Sequence, residues 1–226
     1  MIRILAKGLA VLSVLLPLGR GATCNSSSGV VALPDPKLDN PLTEAKGQET
    51  AVVAGGCFWG IQAVFEHIKG VIRATSGYSG GAPNTAQYEK VCSGRTGHAE
   101  AVQVVFDPSQ ISYGQLLKVF FSVAHDPTEL NRQGPDVGTQ YRSGIFYASE
   151  NQKRISEAYV EQLNAAKVFG GPIVTQIVPL DAFYPAEDYH QDYVDHHPEN
   201  LYIAINDLPK VENLKKQFPA LFTEKK

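Results

Sequence analysis

Hydrophobic positions along the chain switch between two periods, and the switches mark the elements. Residues 50–54 form a short apolar run that predicts a strand entering Gly55-Gly56. From Cys57 to about residue 69, Ile61, Val64, Phe65 and Ile68 recur at helical spacing. Residues 71–78 predict a second strand, closed by Ser79-Gly80-Gly81, and a polar loop runs over 82–97. Alternation returns over 99–106 as a third strand. Ser112 and Gln115 form a capping box ahead of Leu116, Leu117, Val119, Phe120, Phe121 and Val123, which predicts a buried helix. Further on come a strand over 142–148, a helix from the Ser149/Gln152 cap to about 168, stopped by Gly170-Gly171, and a strand over 173–180. Residues 187–195 and 210–217 read as helices, the second halted by Pro219. Strands and helices intermix without strict alternation, which predicts an α+β sandwich with a mixed sheet.

The first 48 residues break from this pattern. Arg3 and Lys7 precede an apolar stretch over 9–18 that is broken by Pro17. It falls short of the about 20 residues a membrane-spanning helix needs, and predicts a signal peptide over 1–22 with an exported, periplasmic or extracytoplasmic product. Cys24 adds the alternative of a lipidated N-terminal cysteine, and only that lipid would bring the chain to a membrane. Ser26-Ser27-Ser28 with Pro34, Pro36 and Pro41 predicts a flexible linker over 23–48. One catalytic-sized domain follows over 49–226. Its composition is that of an ordinary globular chain, 43% hydrophobic with a formal net charge of −3, and no basic excess points to nucleic acid. Methionine occurs only at Met1, which suits a chain exposed to oxidants and arises by chance nearly as readily.

Two positions concentrate the chemistry. Cys57 lies where a strand turns into a helix, so helix N-terminal amides are expected to lower its thiol pKa and favour the thiolate. A small buried cysteine is the commoner outcome, but flanking glycines and the adjacent Phe58-Trp59 pair favour a reactive site. Glu100 shares one face of its strand with Val102, Val104 and Phe106. A carboxyl on an apolar face is costly unless neutral or paired, and a neutral one is a general acid; a glutamate at the strand end that reaches water fits the pattern equally well. Tyr88, Tyr141 and Asp136 fit core filling and a turn as readily as catalysis. His98 suggests a Cys–His pair or a metal, yet no clustered ligand spacing supports a metal. Tyr189, His190, Gln191, His196 and His197 fit a solvated helix end or a site.

Taken together, four ordered blocks resemble one family. Gly56-Cys57-Phe58-Trp59-Gly60 resembles the signature of peptide methionine sulfoxide reductases of the A type. Cys92-Ser93-Gly94-Arg95-Thr96-Gly97-His98-Ala99-Glu100, then His125-Asp126-Pro127-Thr128 with Gly138-Thr139-Gln140-Tyr141-Arg142-Ser143, then Phe183-Tyr184-Pro185-Ala186-Glu187-Asp188-Tyr189-His190 resemble its later blocks. The resemblance implies a two-layer sandwich related to the ferredoxin-like plait. It implies reduction of methionine S-sulfoxide, free or within oxidised proteins, through a Cys57 sulfenic acid. Glu100 would supply a proton, Tyr88 and Tyr141 hydrogen bonds to the sulfoxide oxygen, Asp136 a polar partner, and Phe58 and Trp59 a seat for the methyl group. The implied partner is a thioredoxin-type reductant or another external thiol, with no metal and no further cofactor.

The chain departs from many members of that family in having no cysteine after Cys92. Direct attack of an external thiol on the Cys57 sulfenic acid is therefore expected, with Cys24 the less favoured resolver. Two rival readings stay open at this point: a cysteine hydrolase or acyl transferase with Cys57, His98 and Asp136 as its triad, and a binding module without catalysis.

Overall fold

The computed structural model describes residues 33–225. The expected signal peptide, Cys24 and the first part of the expected linker lie outside these residues.

Six strands form one mixed sheet in the order β7-β6-β1-β3-β2-β8. Its centre is β1 (Glu49–Ala54), antiparallel to both β3 (Ala99–Phe106) and β6 (Gly144–Tyr147). β2 (Val71–Ser79) pairs antiparallel with β3 and with β8 (Phe183–Pro185), and β7 (Gln176–Pro179) runs parallel to β6. One face is covered by α1 (Phe58–Glu66), α3 (Tyr113–Val119) and α4 (Glu150–Ala166). Between helices and sheet lies the core, where Val53, Val102, Val104, Phe106 and Ile145 meet Ile61, Val64, Phe65, Leu116, Phe121 and Tyr159. The other face holds a smaller cluster of Val52, Ala54, Ala99, Ala101 and Phe146. The expected α+β two-layer architecture is the observed one.

Period-two and helical patterns placed most elements, because they record which face is buried. β3 spans the expected residues, and the Ser112 capping box forms in full, with Ser112 accepting from the Gln115 amide. α3 gives way to a π-helical turn over Phe120–Ala124. The polar loop holds a short helix, α2 (Tyr88–Val91). A two-stranded ribbon of β4 (Arg132–Gln133) and β5 (Asp136–Val137) projects between α3 and β6. The helix expected over 187–195 is instead a 3-10 turn, Asp188–His190, and a short helix, α5 (Tyr193–His196). Asp192, with φ at 54°, breaks them apart. α6 (Leu201–Asn206) runs almost directly into α7 (Leu208–Gln217).

The expected linker is corrected from residue 33 onward. Residues 33–48 carry no regular element, but Leu33 is buried in the main core. The Asp39 carboxylate accepts from the Gly114 amide at 2.9 Å and from the Ser112 hydroxyl. A proline-rich composition suggests an extended path; side-chain anchors decide whether that path is free or fastened.

Candidate active site

Cys57 is the N-cap residue of α1, reached from β1 through Gly55-Gly56. Gly56 holds φ at 99°, and a Cβ there would stand 2.6 Å from the Gln133 side chain, so the turn needs glycine on both counts. Phe58 turns into the core at 1% exposure, and its amide donates to Glu100 Oε2 at 3.1 Å. This bond ties the first turn of α1 to the start of β3. It places a carboxylate beside a helix N-terminus one residue from the cysteine, where the helix dipole favours it.

Glu100 is 2% exposed, on the core face of β3 as the alternation predicted. Burial pushes its carboxyl up to about 8; the Phe58 amide pulls down, and Asp136 and Asp207 push up. At neutral pH it is a neutral acid. Of the two readings open in the sequence, the buried acid is the observed one.

The Cys57 thiol is pushed well above its ordinary value by burial, then by the carboxylates of Glu100 and Asp207, against a downward pull from the Trp59 amide and Lys210. The expected lowering by the helix N-terminus is thereby corrected: desolvation and two nearby carboxylates outweigh the amides. A neutral Glu100 removes one of those two opposing charges, so the proton on Glu100 and the charge on Cys57 are linked.

Aromatic side chains wall this pair. Trp59 stacks on Tyr193 with centroids 3.8 Å apart and planes 7° from parallel. Its indole N–H donates to His190 Nδ1 at 3.2 Å, and Tyr202 meets its ring edge-on at 6.1 Å. The His190 ring lies 5.1 Å from Phe58 and 4.4 Å from Tyr88. Tyr88 opens α2, its amide donating to Glu187, which also accepts from the Tyr78 hydroxyl. Tyr141 ends a 3-10 turn, Thr139–Tyr141. Burial first, and neighbouring anionic groups after it, hold the hydroxyls of Tyr88 and Tyr141 well above the usual tyrosine range; Glu100 and Cys57 act on both. Each is thus a firm hydrogen-bond donor. Asp136, in β5, accepts from the Tyr202 hydroxyl at 2.5 Å. The structure therefore brings Cys57, Glu100, Tyr88, Tyr141, Asp136, Phe58 and Trp59 close together around the start of α1. Tyr193, Tyr202, Asp207 and Lys210 join them without any local sequence signal, while Glu187 and His190 came from a block to which the sequence assigned no role.

His98 stands apart. Its Nε2–H donates to the Ala82 carbonyl at 3.0 Å, and its Nδ1 accepts from the Gly81 amide at 3.2 Å. With both ring nitrogens bound to the 80s loop and Asp136 bound to Tyr202, the hydrolase triad of Cys57, His98 and Asp136 is not assembled. A cavity of about 690 Å³ near the C-terminal end of α1, bordered by Glu66, Arg73 and Lys225, includes neither Cys57 nor Glu100.

Residues 49–221 match the sequence model of the family described as peptide methionine sulfoxide reductase. The chain is 60% identical over 181 residues to a protein of Mesorhizobium japonicum named peptide methionine sulfoxide reductase MsrA 2, covering 80% of this chain and 93% of that one. A protein of the same name from Synechocystis is 52% identical over 188 residues, covering 82% and 88%. Among solved structures, reduced Mxr1 from Saccharomyces cerevisiae superposes with a TM-score of 0.61 at 35% identity, covering 73% of this chain and 92% of that one. Methionine sulfoxide reductase A of Corynebacterium diphtheriae gives 0.59 at 37% identity, covering 75% and 88%. A thiol at a helix N-cap, a neutral buried carboxyl beside it and an aromatic wall are thus set in a chain that belongs to the peptide methionine sulfoxide reductase family.

Proposed function

We propose that the pocket reduces methionine S-sulfoxide, free or in oxidised proteins, to methionine, with Cys57 as nucleophile and Glu100 as general acid. The observation that carries the assignment is the neutral Glu100 carboxyl, anchored by the Phe58 amide one residue from Cys57. The Cys57 sulfur attacks the sulfoxide sulfur, and a proton from Glu100 turns the sulfoxide oxygen into a hydroxyl. The substrate S–O bond and the transient S–S bond then break, and the oxygen ends on Cys57 as a sulfenic acid: the substrate sulfur gains two electrons and the cysteine sulfur loses two. Tyr88 and Tyr141 donate to the oxygen as negative charge builds on it. Phe58 and Trp59 seat the methyl group, and Asp136, bound to Tyr202, closes the polar side.

The cycle then needs two external thiols. One attacks the sulfenic acid, releasing water and forming a mixed disulfide; the second frees Cys57 and leaves as a disulfide. A thioredoxin-type protein or a small thiol fits this role. Among the described residues Cys57 and Cys92 are both free, Cys57 buried and Cys92 exposed. The basic and apolar start of the chain supports export, which the intact mass of the mature protein tests.

A single-turnover assay without reductant tests the assignment. One equivalent of sulfide per enzyme is expected, with one oxygen added at Cys57 by mass. Cys57→Ser abolishes it, and Glu100→Gln slows it by about 100- to 10,000-fold while keeping the fold. An unchanged rate in E100Q removes Glu100 from the mechanism. A Cys57–Cys92 bridge as the main product overturns direct attack by the external thiol.

A further inference from the structure

Gly60 is the third residue of α1, one turn beyond the N-cap Cys57. At many helix starts the side chain at this position folds back towards the N-cap residue. Gly60 has none, and the space is filled from another helix. A Cβ at Gly60 would stand 2.1 Å from Asp207 Oδ1 and 2.8 Å from Lys210 Nζ. The two charged groups bond to each other at 3.1 Å, with side-chain exposures of 0% for Asp207 and 17% for Lys210. Asp207 Oδ2 has no partner among the described residues. A buried ion pair of this kind is weak evidence for stability, since desolvating the charges cancels much of their attraction. Its position is the informative feature: it lies against Gly60, three residues along α1 from Cys57.

We propose that Lys210 is the counter-cation of the Cys57 thiolate, and that Asp207 is the positioning residue that holds its ammonium against Gly60. This deepens the reductase reading and rests on it only for the use made of the thiolate. The other groups facing the site leave this task to Lys210. Glu100 from β3 and Asp136 from β5 are acids. Tyr88, Tyr141 and Tyr202 carry hydroxyls held in their neutral form. His125 is buried with its Nδ1–H on the Phe120 carbonyl and Nε2 at Ser143, and burial holds it neutral, at about 3. His190 is also pulled down by burial, and its Nδ1 is occupied by the Trp59 N–H. A thiolate formed in such surroundings is opposed by carboxylates and desolvation, and the Lys210 ammonium is the cation that works against them beside the Trp59 amide.

The test reads ionisation of Cys57 directly, independently of turnover, so it separates this proposal from the reductase assignment. Full-length protein is alkylated with iodoacetamide across pH 6–10, and modification at Cys57 is followed by mass. Lys210→Met is expected to move the midpoint up by about one pH unit and to slow alkylation at pH 7 about tenfold. Lys210→Arg keeps the midpoint near that of the parent. An unchanged midpoint in a folded K210M protein, or an equal rise in K210R, overturns the proposal. Should K210M fail to fold around its unpaired aspartate, D207N is compared with D207N/K210M. A higher midpoint in the double variant supports the proposal, and equal midpoints overturn it.

Discussion

Glu100 owes its acidity to a contest between burial, which pushes its carboxyl up to about 8, and the Phe58 amide, which pulls it down. The neutral form holds below that value and is lost as pH rises through it. Two effects then act in the same direction: the proton needed by the sulfoxide oxygen is gone, and a new negative charge opposes the Cys57 thiolate. The folded chain also holds this proton more tightly than the unfolded one, so its contribution to stability is full below the ordinary glutamate value of 4.5, declines as pH rises from there and is gone above about 8. The rate of sulfoxide reduction should therefore stop rising near pH 8, where each further gain in Cys57 thiolate is cancelled by loss of the Glu100 proton, and the slow E100Q variant should go on rising with the thiolate beyond it. A parent profile that keeps rising with the thiolate from pH 8 to 9.5 contradicts the assignment of Glu100 as acid.

Elements deliver these side chains, and β8 shows how closely. β8 is three residues long, yet it leads to Glu187, which receives both the Tyr78 hydroxyl and the Tyr88 amide. It lies so near β2 that a Cβ at Gly77 would stand 2.3 Å from the Tyr184 carbonyl oxygen and 2.4 Å from the Phe183 ring. Gly77→Ala should separate the strands and cost about 1–3 kcal/mol, the usual range for overpacking, with a fall in melting temperature of roughly 2–4 °C per kcal/mol. Loss of the Glu187 anchor should slow catalysis as well; an unaltered melting curve would show that β8 is not clamped. Such elements also mark where the sequence stopped being informative. β3 and α1 were legible because their large apolar side chains recur at period two and at helical spacing over several residues, and Cys57 and Glu100 were legible with them. β8 and α2 are too short to show a period. α6 carries Leu201 and Ile205 on the solvent side, so its apolar positions do not mark a core face. Tyr202, Asp207 and Lys210 reach the pocket only because the last helices pack on α1, a contact with no local signature.

Across the whole molecule, residues 33–48 act as a fastened strap on the side of the domain formed by α3 and α4. Tyr159 donates its hydroxyl to the Pro34 carbonyl at 2.9 Å, and Gln162 donates to the Asp35 carbonyl at 2.8 Å. Asn151 donates to Asn40 at 2.8 Å, and the Thr43 amide to the Pro108 carbonyl at 3.0 Å. None of these partners belongs to the Cys57 pocket. A chain starting at residue 49 loses a buried leucine, worth about 1.5–3 kcal/mol, and the carboxylate at the first turn of α3, worth about 1 kcal/mol. It should melt several degrees below the full chain while its folded fraction keeps the full single-turnover rate. A chain starting at residue 33 keeps every one of these contacts and should melt above the chain starting at 49. Equal melting of all three would mean that the strap contributes nothing. A slow rate in the folded protein starting at 49 would mean that the strap reaches the pocket through α3 and the π turn that follows it.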